Sequence, residues 1–280
     1  MFENPDYIVI GSGSAGSTIA YRLGENPSHQ VLVLEFGGSD FSPFIQMPAA
    51  LSYPMNMPKF DWGYKAEPEP ELNGRSLVCP RGRVIGGSSS INGMIYVRGN
   101  PGDYHEWARS GATGWDYPDV LPYFQRMEKS HGGTSEFRGS HGPLHVTHGK
   151  RDNPLHEAFV SAAQQAGYER TEDYNGYRQE GFGPADMTVY NGSRFSTAKA
   201  YLKPALAKKN VKLVTRALVD KIIFEGKKAV GVEFFHQGQK KIIKVKKDVI
   251  LSAGSINSPA ILQRSGIGNA DHLRNLGIEA

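Results

Sequence analysis

A single cysteine, Cys79, stands in 280 residues. No disulfide can form within the chain, which excludes the cross-linked frameworks of small secreted domains. A lone thiol suits a reducing compartment, so a cytoplasmic location is expected. No apolar run approaches the roughly 18 residues that a membrane-spanning helix needs; peripheral membrane association is left open. The first residues, Met1-Phe2-Glu3-Asn4-Pro5-Asp6, lack the basic-then-apolar plan of a signal peptide. Charge of one sign is scarce as well. Lys and Arg exceed Asp and Glu by 32 − 28 = 4, too few to argue for a nucleic-acid partner. Internal repeats and low-complexity tracts are absent. With 39% hydrophobic and 21% charged residues, a buried core is expected, and the length allows about two domains.

What is abundant is glycine, 33 residues, beside 17 prolines. Tyr7-Ile8-Val9-Ile10 is a continuous apolar run that predicts a strand buried on both faces. Gly11-Ser12-Gly13-Ser14-Ala15-Gly16 follows, and then a helical pattern with Ala15, Ile19, Ala20 and Leu23 on one side. Val31-Leu32-Val33-Leu34 predicts a second buried strand, closed by Glu35. Strand, GxGxxG, helix, strand and terminal acid form a dinucleotide-binding unit. The first glycine allows a tight turn, the second lets backbone approach a pyrophosphate, and the third lets helix and strand pack closely. The helix N-terminus offers free N–H groups to phosphate. An acid where Glu35 stands accepts hydrogen bonds from a ribose hydroxyl and disfavours a 2′-phosphate. This pattern alone leaves NAD and FAD both open.

A second glycine cluster runs Arg81-Gly82-Arg83-Val84-Ile85-Gly86-Gly87-Ser88-Ser89-Ser90-Ile91-Asn92-Gly93. Adjacent glycines and serines make a backbone that can lie flat against a ligand and present many donors. Between the clusters, residues 41–77 lack a clean period and hold six prolines among aromatics. They predict a long ordered excursion, in which Phe60, Trp62 and Tyr64 either line a channel or form its own core.

With its context, the second cluster resembles the first signature of the GMC (glucose–methanol–choline) oxidoreductase family. The stretch Gly254-Ser255-Ile256-Asn257-Ser258-Pro259-Ala260-Ile261-Leu262-Gln263-Arg264-Ser265-Gly266-Ile267-Gly268 resembles its second signature. The resemblance spans essentially the whole chain. It implies an α/β fold: a doubly wound FAD-binding domain with a parallel sheet, plus part of a substrate domain. The implied divisions are 1–40 (ADP-binding βαβ), 41–77 (lid), 78–140 and 206–280 (FAD binding continued), and 141–205 (start of the substrate domain).

The resemblance also implies which residues touch FAD. Gly11 to Gly16 and Glu35 would hold the ADP half. Val84, Gly87, Ser88 and Asn92-Gly93-Met94-Ile95 would lie along the ribityl chain and flavin ring. Val219 would meet the adenine through its backbone, and Ala253-Gly254 would pass close to the cofactor. Ile91 stands where covalently flavinylated members of the family carry histidine, so FAD is expected to be held non-covalently. Phe36 follows Glu35 where the family usually has a small residue, which is expected to reshape the adenosine pocket.

Within the family, Gln46-Met47-Pro48-Ala49-Ala50-Leu51, Asn92 to Asn100 and Asn175 to Pro184 resemble the members that oxidise choline. The implied activity is FAD-dependent oxidation of a small primary alcohol, choline to betaine aldehyde. Neither the electron acceptor nor the oligomeric state follows from the sequence. Family members run to about twice this length and carry their catalytic histidine near the C-terminus. The chain is thus expected to be an N-terminal portion with no catalytic residue of its own. Another alcohol dehydrogenase of the same family, an NAD-dependent dehydrogenase and a non-catalytic dinucleotide-binding module are the alternatives.

Other reactive residues read as structural. His141, His145 and His148 straddle a Gly-Pro turn and are expected to face different ways, so no metal site is expected. Cys79 has no adjacent base. The alternating lysines of Lys240–Lys247 fit one face of an edge strand.

Overall fold

Four short apolar runs align to build the central sheet. The computed structural model describes residues 2–132, 136–150 and 152–280. Its elements, in order, begin with β1 (Tyr7–Ile10), α1 (Ser14–Leu23), β2 (Val31–Leu34), α2 (Pro43–Gln46), α3 (Pro101–Arg109), α4 (Tyr117–Met127), β3 (Glu128–Ser130), β4 (Leu144–His148) and α5 (Pro154–Gln165). They continue with β5 (Asp186–Met187), β6 (Val189–Tyr190), β7 (Ser193–Arg194), α6 (Lys203–Leu206), β8 (Val211–Val214), β9 (Ala217–Glu225), β10 (Lys228–His236), β11 (Gln239–Lys244), β12 (Asp248–Leu251), α7 (Gly254–Arg264) and α8 (Ala270–Asn275).

The chain up to Gly93, rejoined by Ser196–Ala280, forms one compact unit; Met94–Phe195 forms another. The sequence places the divisions at 140/141 and 205/206. Packing places them at 93/94 and 195/196, because the ribbon after Gly93 pairs with chain far downstream. Tyr96 N–H donates to the Asp186 carbonyl, and Thr188 N–H to that of Met94, both at 2.8 Å.

In the first unit the parallel sheet has the order β12-β1-β2-β8. Pairing is in step: Tyr7 lies opposite Val31 and Asp248, and Val31 opposite Val211. The four strands therefore end together, at Ile10, Leu34, Val214 and Leu251. Ligands bind beyond the carboxyl ends of such strands. Ile8, Val9 and all of Val31–Leu34 are essentially inaccessible to solvent; full burial of each such side chain contributes about 1.5–3 kcal/mol. On α1 the buried residues are Gly16, Ser17 and Ala20, while Ala15 is exposed. The inner stripe is thus rotated from the predicted one, because small residues let the helix approach the sheet. An antiparallel sheet, β11-β10-β9, completes this unit. β11 is an edge strand, and its Lys240 pairs with Glu233 at 2.9 Å.

The second unit holds α3 to α5, the mixed sheet β3-β4-β5 and the hairpin β6-β7. Its helices share a starting code of an Asx cap and an early proline. Asn100 accepts from Gly102 N–H, Asn153 from Leu155 N–H, and Asp116 makes a capping box with Asp119. Such caps satisfy N–H groups that the first turn leaves free. On α5 the buried residues are Val160 and Ala163; Leu155, Ala158, Phe159, Ala162 and Ala166 are exposed. His145 and His148 sit at opposite faces of β4. His145 meets His131 at 2.9 Å, and His148 meets Asp186 at 2.6 Å.

The buried centre of this unit is ionic. Arg98 and Arg138 reach Glu128 Oε1 at 2.9 and 2.8 Å, and the Glu128 side chain has no exposed surface. Arg138 also pairs with Asp173 at 2.6 Å and Asp186 at 2.9 Å. Burial works against the Arg138 cation, but these carboxylates outweigh it and hold its pKa above the ordinary value.

Candidate functional site

Because the strands end together, Gly11, Glu35 and Ser252 start three neighbouring loops. Gly11 takes φ +92°, and a Cβ there would lie 2.6 Å from the Ser252 carbonyl oxygen. Only glycine fits that turn. A Cβ at Gly16 would lie 1.9 Å from the Gly11 carbonyl oxygen, so α1 approaches β1 more closely than any side chain allows. Gly13 differs: its φ is −71°, and its Cβ would meet only the Gly87 Cα, at 3.8 Å. Among the described residues, no side chain beyond its chain neighbours comes within 4 Å of that position.

Gly13 opens α1, and no side chain caps that helix. Ser14 and Ala15 are exposed in its first turn. The uncapped N–H groups and the helix dipole suit an anion there. Ser12 is wholly buried, and its N–H and hydroxyl both donate to Glu35 Oε2 at 2.9 Å. Gly37 N–H donates to Oε1 at 2.6 Å. Burial pushes the Glu35 carboxyl above its ordinary pKa, while the Ser12 and Gly37 bonds oppose that shift. A carboxylate offers about four lone-pair sites. Three are taken, and one on Oε1 is left for a hydroxyl donor. Glu35 therefore ties the glycine loop to the end of β2, a role its sequence position does not announce.

The second glycine cluster meets the first directly. Gly86 N–H donates to the Ser12 carbonyl at 2.8 Å. Gly86 and Gly87 take φ +83° and +54°, and a Cβ on Gly87 would come within 2.7 Å of the Gly13 Cα. Ser88 is exposed and accepts from Gly82 N–H at 3.1 Å. Val84 bridges Gly38, and its side chain packs with Ile45, Phe60 and Ile91. Asn92 is exposed, and nothing lies near a Cβ on Gly93.

Val219 is buried in β9, two residues beyond Ala217, whose N–H donates to the Glu35 carbonyl at 2.9 Å. Ala253 caps α7 from its backbone, and Gly254 follows with φ +83° and open space at its Cβ position. The first unit thus gathers Gly11 to Gly16, Glu35, Gly87 and Ala253-Gly254 around one strand edge. Met94 and Ile95 belong to the other unit. There Met94 is buried with φ +64°, and Ile95 is about half exposed.

Phe36 stacks on Trp62 at 5.1 Å, and Trp62 on Tyr64 at 6.0 Å. Phe60 is core, whereas Trp62 and Tyr64 line a pocket of about 240 Å³ with Met55, Pro58, Val78 and Arg83. The Tyr64 hydroxyl donates to Asn257 Oδ1 at 2.7 Å, tying the excursion to α7. Sequence reasoning missed this bond, which joins residues 193 positions apart. It also missed Thr197, which bonds to the second glycine cluster and lies outside both signatures.

The residues present fit a dinucleotide. The cradle over Gly13 is one a Cβ would fill, the helix end beside it is uncapped, and Glu35 keeps one acceptor site. A family model described as GMC oxidoreductase matches residues 5–279. The oxygen-dependent choline dehydrogenase of Brucella suis is 59% identical over 274 residues, covering 98% of this chain and 50% of that protein. The chain spans about half the length of the curated relatives it matches. Pyridoxine 4-oxidase from Mesorbium loti superposes with a TM-score of 0.94 at 34% identity, over 99% of this chain and 55% of that one. An FAD-dependent oxidoreductase from Chaetomium thermophilum does so with 0.92 at 30% identity, over 99% and 50%.

Proposed function

The chain belongs to the GMC oxidoreductase family, and from that premise we propose that it carries the FAD-holding part of an alcohol dehydrogenase acting on choline. The observation that supports this reading most directly is the meeting of two glycine clusters over a side-chain-free cradle at the carboxyl edge of the sheet. Bound FAD supplies the two-electron acceptor for a hydride leaving the alcohol carbon.

This chain's residues do the holding. Gly13 and the first turn of α1 receive the pyrophosphate, since backbone N–H groups and the helix dipole favour its charge. Glu35 accepts from an adenosine ribose hydroxyl through its remaining Oε1 site, while Ser12 and Gly37 keep the carboxylate oriented. Val219 serves the adenine through its backbone. Val84, Gly87, Ser88, Asn92 and Gly93, with Ala253-Gly254, serve the rest of the cofactor. Ile91 lies inside an apolar cluster and has no nucleophilic atom, so the flavin is held without a covalent bond. Oxidation of choline to betaine aldehyde also releases the hydroxyl proton, for which no residue of this chain is assigned as base. Among the described residues no helix is long and apolar enough to cross a membrane.

The test uses the complete reading frame that encodes this chain. Acid precipitation should release all flavin to the supernatant, and choline should reduce a dye acceptor faster than other primary alcohols do. Colour left in the pellet refutes non-covalent holding. Preference for a different alcohol replaces choline with another substrate of the same family, and protein purified without any flavin removes the proposal.

A further inference from the structure

Gly86 is held at both of its backbone groups, which belong to the peptides on either side of it. Its N–H donates to the Ser12 carbonyl at 2.8 Å. Its carbonyl accepts from the Ser89 hydroxyl at 2.6 Å. Ser89 Oγ in turn accepts the Thr197 N–H at 3.0 Å and lies 2.8 Å from the Thr197 hydroxyl. Ser89 gives its one proton to the Gly86 carbonyl, which leaves its oxygen to accept the Thr197 N–H and hydroxyl. The Thr197 hydroxyl also lies 3.3 Å from the Gly86 carbonyl oxygen, a weaker second path to the same group.

Such a clamp matters because of what it restrains. Gly86 and Gly87 both adopt left-handed backbone, so no Cβ opposes rotation of the peptide between them; its N–H, that of Gly87, donates to the Val84 carbonyl at 2.8 Å, and its carbonyl is the group that Ser89 holds. That peptide sets how closely Gly87 lies against Gly13, and so the floor of the cradle. Thr197 is itself rigidly placed. It is buried, and it precedes a π-helical turn, Ala198–Leu202. The Ala198 methyl lies 3.0 Å from where a Gly86 Cβ would stand, and the Tyr201 ring packs edge-on against Tyr21 of α1 at 5.6 Å. One π turn thereby touches both the second glycine cluster and the helix that starts at Gly13. Such turns are rare and frequent at functional sites.

We propose that Thr197, acting through Ser89, is a positioning residue for the dinucleotide: it holds the Gly86–Gly87 peptide in the one orientation that leaves the pyrophosphate cradle open. The inference rests on the cofactor assignment above. Thr197 does not touch the cofactor; it pre-forms the surface that does, so that binding carries no cost of ordering it.

The experiment titrates the flavin-free complete protein with FAD and, separately, with ADP, which carries the pyrophosphate without the flavin. Thr197→Val, which removes the hydroxyl from Ser89 and from its weaker contact with Gly86, should weaken both ligands about 3- to 10-fold, and Ser89→Ala, which leaves the Gly86 carbonyl only the 3.3 Å contact to the Thr197 hydroxyl, about 10- to 100-fold. The double variant should depart from the product of the two single losses, because both hydroxyls serve the one Gly86 carbonyl. Thr197→Ser should bind like wild type, and the melting temperature of the flavin-free Thr197→Val protein should fall by no more than the few degrees that one lost hydrogen bond costs. If Thr197→Val does not fold, Ser89→Ala and Thr197→Ser carry the comparison. The positioning role is overturned if wild type binds both ligands and the variants match it, if only FAD and not ADP weakens, or if the two losses add. Wild type that takes up neither ligand overturns the cofactor assignment itself.

Discussion

Gly13 and Gly16 stand three residues apart in one motif, yet the structure gives them opposite jobs, and alanine at each should separate the two. At Gly13 the backbone is in an ordinary region, and a methyl would meet protein only at 3.8 Å. Replacing glycine where φ already suits alanine stabilises by about 0.4–1 kcal/mol through the unfolded chain. Alanine at a helix N-cap is disfavoured by about 1 kcal/mol. The two effects offset, so flavin-free Gly13→Ala should be as stable as wild type. The methyl fills the cradle instead, and overpacking of that kind costs about 1–3 kcal/mol, here taken from ligand binding. FAD affinity should fall about 5- to 100-fold. At Gly16 the methyl would come within 1.9 Å of the Gly11 carbonyl oxygen. Gly11 has little room to give, since even a Cβ on it would lie 2.6 Å from the Ser252 carbonyl oxygen. Overpacking near the upper end of about 1–3 kcal/mol exceeds the ~1 kcal/mol that alanine adds to helix propensity. Flavin-free Gly16→Ala should therefore lose about 1–2 kcal/mol of stability. Urea unfolding of the flavin-free proteins and fluorescence titration with FAD read the two effects separately. Gly13→Ala binding FAD like wild type, or losing stability as Gly16→Ala does, would refute the reasoning.

Burial raises the Glu35 carboxyl above its ordinary value of 4.5, so the native state holds more protons than the unfolded chain just above that pH. Stability of the flavin-free protein should fall as pH rises from about 4.5 through the raised value and then level off. Glu35→Gln should lose that step in urea titrations, and an increase across the window would contradict the assignment. In the second unit, Glu128→Gln leaves Arg98 and Arg138 facing a neutral group in a fully buried site. It should destabilise by about 3–5 kcal/mol; a loss below ~1 kcal/mol in urea unfolding would mean that Asp173 and Asp186 compensate.

The sequence by itself determined what depends on neighbours in the chain. The strands Tyr7–Ile10 and Val31–Leu34 were legible because continuous apolar runs bounded by turn residues have few other solutions. The glycine loop was legible because a turn, a close approach and a packing contact each need glycine at a set spacing. Glu35 was marked by its place after β2, and both signatures by their length. The tertiary structure decided which distant groups meet. Nothing local says that three of the four Glu35 acceptor sites are filled from Ser12 and Gly37, or that Thr197 reaches Ser89 across 108 residues. On α5 the large apolar residues Leu155 and Phe159 stay exposed, and packing selected Val160 and Ala163. The division after Gly93 arises only when Met94 and Tyr96 find partners near residue 187. The buried network on Glu128 joins positions 98, 128, 138, 173 and 186, whose charges read singly as surface residues. A hydrogen bond or ion pair between remote residues leaves no period or spacing in the chain, because its geometry is set by the packing of whole elements.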